Sequence, residues 1–218
     1  MRGNIRGVDD HHCELLASAW EFRASPSDGA ATPGAITATH DAWLPTRVPT
    51  TAAASLRELA QWSLDGAARR FDAEDWWFRC QFAAPPTQNG DSLVLGFDGL
   101  ASLTEAWLNG EPLLTSDNMF LSHEVHLPTL RNTNELVLRF KSLDQSLKAK
   151  RPRGRWKAPM IENQQLRWFR PRFSVELLAG HRPPRPSVRG EKSGWSVAGI
   201  SRFRICEFAP QSMTRRAW

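Results

Sequence analysis

A chain of 218 residues with 41% apolar side chains has material for one large domain with a real core. No run of about 18 apolar residues occurs, so a membrane span is not expected, and Met1 to Asp10 lacks the apolar segment of a secretory signal. The net charge of +5 is unevenly spread: residues 1–147 carry 11 basic and 19 acidic side chains, residues 148–172 nine and one, and residues 173–218 eight and three.

Ten Trp and no Tyr favour strands over helices. Cys13, Cys80 and Cys206 lie far apart in sequence, with no CxxC and an odd total, which points to a reduced, cytoplasmic chain. Residues 1–19 read as a flexible N-terminus. His11-His12-Cys13 has no companion cluster at ligand spacing, so no metal and no cofactor is expected.

Trp20-Glu21-Phe22-Arg23 reads as a first strand, and Ser25 to Thr39, small, polar and punctuated by Gly and Pro, as a loop. A helix is predicted from Ala52 to Trp62, with Ser55 and Glu58 as a capping box. The chain beyond it reads as surface loop through Asp72. Trp76, Phe78, Cys80 and Phe82 then alternate with Trp77, Arg79 and Gln81, the period of a strand with one buried face.

Further strands are predicted at Leu93–Phe97, Thr104–Leu108, His123–Leu127 and Glu135–Lys141. Asn109-Gly110 supplies the positive-φ pair of a tight hairpin. Short strands separated by Gly, Pro and Asn turns give an all-β class, a jelly-roll β-sandwich with one short helix. Trp20, Trp76 and Trp107 are expected in its core. Asp9-Asp10 and the Asp72/Glu74/Asp75 cluster read as solvated surface.

Four pieces occur in order: Asp75-Trp76-Trp77-Phe78-Arg79, Gly99-Leu100-Ala101, Ala106-Trp107-Leu108-Asn109-Gly110 and Asn118-Met119-Phe120. Their order and spacing resemble the N-terminal sugar-binding domain of glycoside hydrolase family 2, in its β-mannosidase branch. Val48-Pro49-Thr50-Thr51 is similar to that family's "V-P-G-T-V", with Thr50 where Gly is usual. Arg151 to Lys157 and Gln164 to Arg170 resemble its basic "P-R-x-R-W" loop and "Q-L-R-W-F-R" strand. The "D-W-G-P" sequence of another branch is absent.

The resemblance covers 20–170 and implies a galactose-binding-like domain that packs on a catalytic barrel in intact relatives, which hydrolyse terminal β-mannosyl groups. In the family both catalytic carboxyl groups come from that barrel, and none is expected in this chain. Trp156, Arg167 and Trp168 are the candidate sugar-binding residues, because aromatic faces stack on sugars and Arg donates to hydroxyls; core packing, or docking against the other domains of an intact relative, is the competing and favoured reading of the two indoles. A stand-alone carbohydrate-binding module is the alternative. The basic 148–172 stretch also admits a nucleic-acid reading, but no helix-turn-helix, RNP or zinc pattern accompanies it, so nucleic acid is not an expected partner.

Residues 171–218 show no sustained alternation and are expected to form an irregular tail. Taking the third base of each codon with the first two of the next lets Pro186 to Glu191 encode Val-Gly-Pro-Trp-Arg, part of the family's closing strand. The tail therefore reads as the product of a frameshift, which would leave one edge of the sandwich open.

Overall fold

The computed structural model describes residues 13–16, 19–39, 41–85, 92–101, 103–127, 130–152, 154–157, 163–169, 199–200 and 203–208. Its elements in chain order begin with β1 (Cys13–Leu15), β2 (Trp20–Pro26), α1 (Pro33–Thr37), β3 (Leu44–Thr46), β4 (Thr50–Thr51) and α2 (Ala52–Glu58). Five strands form the middle of the chain: β5 (Glu74–Ala83), β6 (Ser92–Phe97), β7 (Thr104–Leu108), β8 (Glu111–Ser116) and β9 (His123–His126). The rest comprises β10 (Thr133–Phe140), α3 (Leu143–Leu147), β11 (Gly199–Ile200) and β12 (Phe203–Phe208).

A six-stranded sheet in the order β3-β2-β5-β10-β7-β8 faces a four-stranded sheet in the order β1-β12-β6-β9. All pairings within them are antiparallel. The all-β sandwich expected from the strand spacing is the architecture observed. No helix among the described residues is long and apolar enough to cross a membrane.

The core forms where the alternation places it. Trp20 and Phe22 from β2, Trp76, Phe78 and Cys80 from β5, and Leu136, Leu138 and Phe140 from β10 meet Leu93, Leu95 and Phe97 from β6. Phe22 stacks between Trp76 and Phe78, and Phe78 meets Phe140 edge-on. The hairpin joining β7 and β8 turns at Asn109 and Gly110, with φ of 54° and 88°, as the residue pair requires. The Asn109 side chain fastens the turn to β10, donating to Asn134 Oδ1 and accepting from Glu135 N, each at 2.9 Å.

Burial inside this core pushes the Cys80 thiol up to about 11, so little thiolate exists at neutral pH. Cys80 should therefore resist a thiol-specific alkylating reagent in the native chain and react fully in denaturant. Rapid native labelling at Cys80, seen by peptide mass spectrometry, would contradict the burial.

Several expectations are corrected by the structure. Trp77, assigned to an exposed face of β5, is fully buried. The Ser25–Thr39 stretch is not plain loop: it carries the end of β2 and α1, and Ala30 and Ile36 close over Trp77, Trp107 and Val137. Trp77 stacks on Trp107 at 5.7 Å and donates to Ser25 Oγ. Both faces of β5 are thus covered, which single alternation does not reveal. The predicted helix ends at Glu58 rather than Trp62, and its N-cap is Thr51, whose hydroxyl accepts from Ala54 N. Ser55 instead lies buried against Thr46 and Thr50.

Asp75, read as solvated, is 0% exposed. β5 begins two residues earlier than expected, so Asp75 sits inside the sheet beside Ser25 of β2. It accepts from Arg139 Nε and Nη2 at 3.0 and 2.6 Å, from Asp28 N at 3.0 Å and from Ser142 N at 2.7 Å. That set of donors satisfies a buried carboxylate.

The two chain ends also depart from the expectation. Cys13–Leu15 of the supposedly flexible N-terminus forms β1, opposite Arg204 to Cys206. Residues 171–218 contain β11 and β12, and β12 lies between β1 and β6, with Ile205 opposite Leu95 and Phe203 opposite Phe97. The sandwich is not open at β6. The codons reconstructed for 186–191, and His11 and His12, lie outside the described residues.

Candidate carbohydrate-contacting site

The three residues singled out from sequence, Trp156, Arg167 and Trp168, line one cavity of about 520 Å³. Local geometry explains how they meet. Gln164–Trp168 is a 3-10 helix, in which residues three apart share an edge. Leu166 and Phe169 take the inner edge and bury against Leu143, with Leu103 and Leu147 packed around them. Gln164 and Arg167 share the second edge, and Arg167 accordingly donates to Gln164 twice, Nε to the carbonyl and Nη2 to Oε1, each at 2.8 Å. Gln165 and Trp168 fall on the third, and Trp168 is 45% exposed.

The basic loop returns over this helix. Arg151 lies 4.9 Å above the Phe169 ring. Arg167 lies 4.5 Å over the Trp156 ring and donates from Nη2 to the Trp156 carbonyl at 3.0 Å. Trp156 remains 64% exposed although Arg167 covers one of its faces. Arg167 Nη1 is buried against Gly154 and has no hydrogen-bond partner among the described residues. A Cβ added at Gly154 would collide with that nitrogen. Gly154 and Gln164 are site residues that composition did not single out. The three-residue spacing of Gln164 and Arg167 was the available signal, readable only once the segment is known to be a 3-10 helix.

The described residues lining the cavity include Arg155, Lys157 and Arg167 and no carboxylate. Retaining glycoside hydrolysis needs two carboxyl groups about 5–5.5 Å apart across the sugar. An exposed indole beside fixed hydrogen-bond donors can hold a polar ring, but the described residues of this lining supply neither acid nor nucleophile.

Comparison with known proteins fits this architecture. The fold is an antiparallel β-sandwich of a six-stranded and a four-stranded sheet. The family described as the glycosyl hydrolase 2 galactose-binding domain-like matches residues 20–175, and the chain belongs to it. A β-mannosidase B of Thermothelomyces thermophilus is 45% identical over 69 residues, 31% of this chain and 8% of the relative. Another, from Emericella nidulans, is 34% identical over 122 residues, 52% of this chain and 13% of the relative.

Among solved structures, a β-D-mannosidase from Dictyoglomus thermophilum superposes with a TM-score of 0.67 at 19% identity, over 91% of this chain and 23% of that one. A family 2 β-glucuronidase gives 0.54 at 15% identity, over 95% of this chain and 18% of its own. The chain therefore spans a small part of the length of each.

Proposed function

We propose that this chain is the non-catalytic N-terminal domain of a β-mannosidase-like glycoside hydrolase, and that the cavity around Trp156, Arg167 and Trp168 is its carbohydrate-contacting surface. The observation that carries the first statement is the family match over 20–175, joined to curated relatives that are β-mannosidases. In this reading the domain packs on a catalytic barrel, which supplies both carboxylates, and acts in the cytoplasm without a cofactor. The second statement is supported by one exposed indole stacked on a fixed guanidinium, with a second at the same rim. Those features also suit a stand-alone carbohydrate-binding module, the second reading. The frameshift reading rests on the codon argument alone, because β11 and β12 lie within 171–218.

The purified chain should turn over neither an aryl β-mannoside nor an aryl β-galactoside above background, because binding residues cannot replace a general acid and a nucleophile. Measurable turnover, abolished by mutating a carboxylate of this chain, would sink the proposal.

A further inference from the structure

We propose that the cavity prefers an anionic saccharide, one bearing a uronate carboxylate or a sulfate ester, over a neutral one. The inference rests on the reading that this cavity contacts carbohydrate, and adds the class of sugar. Its basis is the charge of the lining. Arg155, Lys157 and Arg167 line one concave space, with no acidic side chain among the described residues of its lining. Several cations elsewhere on the sandwich are matched, Arg23 with Asp41, Arg79 with Glu21 and Arg139 with Asp75, at 2.6–2.7 Å. Among the described residues no ion pair involves Arg155, Lys157 or Arg167.

The three cations divide into two roles. Arg167 is committed to the protein: it stacks on Trp156, bonds to Gln164 and to the Trp156 carbonyl, and lodges Nη1 against Gly154. It is a positioning residue that fixes one indole face and leaves the other open. Arg155 and Lys157 flank Trp156 in sequence and are both exposed. Their charges are available to an incoming anion at the edge of the indole. A neutral sugar would use the indole and leave two unmatched cations beside it. A saccharide with a carboxylate or sulfate uses the indole together with Arg155 and Lys157, and a cleft lined by one sign of charge concentrates the opposite sign. The cavity of about 520 Å³ lies within the range of small-ligand clefts.

The test is isothermal titration calorimetry of the full chain with four probes: trigalacturonate, a sulfated trisaccharide, neutral mannotriose and citrate. Both anionic sugars should bind at least about tenfold more tightly than mannotriose at low salt, and the margin should shrink at ~0.5 M salt as screening grows. Whichever of the two binds more tightly identifies the anionic group. Trp156→Ala, at an exposed position, should weaken both about tenfold without moving the melting temperature. The Arg155→Gln/Lys157→Gln double variant should bring their affinity down to that of mannotriose.

Equal binding of neutral and anionic sugars, lost in Trp156→Ala, would overturn the anion preference and leave the carbohydrate site standing. Citrate binding as tightly as trigalacturonate would also overturn it, because charge alone would then account for the affinity. Absence of binding by every sugar would overturn both readings.

Discussion

Removal of residues 199–218 is expected to leave the chain insoluble or to lower its melting temperature by ~10 °C or more, since each kcal/mol is worth roughly 2–4 °C in a domain of this size. β12 is an inner strand, hydrogen-bonded to β1 on one side and β6 on the other. Without it β1 has no neighbour, and β6 presents an unpaired edge beside Leu95 and Phe97, both deeply buried. Loss of a sheet's inner strand costs ladder hydrogen bonds and apolar cover together and creates an aggregation-prone edge. This reverses what the irregular composition of 171–218 suggests. A truncated chain that melts with the full one would show that β12 contributes nothing to closing the sandwich.

The second large effect is expected at the buried ion pair on the outer face of the six-stranded sheet. Asp75→Ala should destabilise the chain by about 3–5 kcal/mol, the cost of stranding one partner of a buried pair. Arg139 is 4% exposed and would keep only Asp28 and Glu105, at 2.9 and 3.3 Å. Asp28 N and Ser142 N would also lose their acceptor. Asp72→Ala serves as the control. Asp72 meets Arg70 at 3.5 Å in a pair whose arginine is largely exposed, and pairs of that kind are worth about 0–1 kcal/mol. Urea denaturation of both variants decides the matter. Equal midpoints would mean that the Asp75 network carries no stability.

These two regions also mark where the sequence was legible and where it was not. The alternation of Trp76, Phe78, Cys80 and Phe82 locates the inner face of β5 because a strand has only two faces and one was plainly apolar. It misleads about the other, since Trp77 is covered by Ala30 and Ile36, and Asp75 is held by Asp28, Arg139 and Ser142, tertiary contacts without local periodicity. Asn109-Gly110 was readable because only a few residue types accept positive φ. The helix cap was misplaced because Ser55 fits a capping pattern equally well as a buried hydroxyl, and only its contacts with Thr46 and Thr50 separate the two.

The candidate site was legible in composition and not in geometry. Trp156, Arg167 and Trp168 stand out as aromatics among arginines. Their assembly depends on a three-residue period that buries Leu166 and Phe169, and on a backbone at Gly154 that lets Arg167 lie close. The strand β12 was missed because Phe203-Arg204-Ile205-Cys206-Glu207-Phe208 breaks its alternation at Cys206 and lies in a Pro- and Arg-rich context.

The central claim, that this sandwich is one domain of a larger β-mannosidase-like hydrolase, is tested most directly by reading the DNA that follows the segment encoding this chain. The account predicts sequence in one of the three forward frames that encodes a catalytic barrel with its two carboxylates. Unrelated DNA in every frame would contradict it and leave the stand-alone carbohydrate-binding module as the reading of this chain.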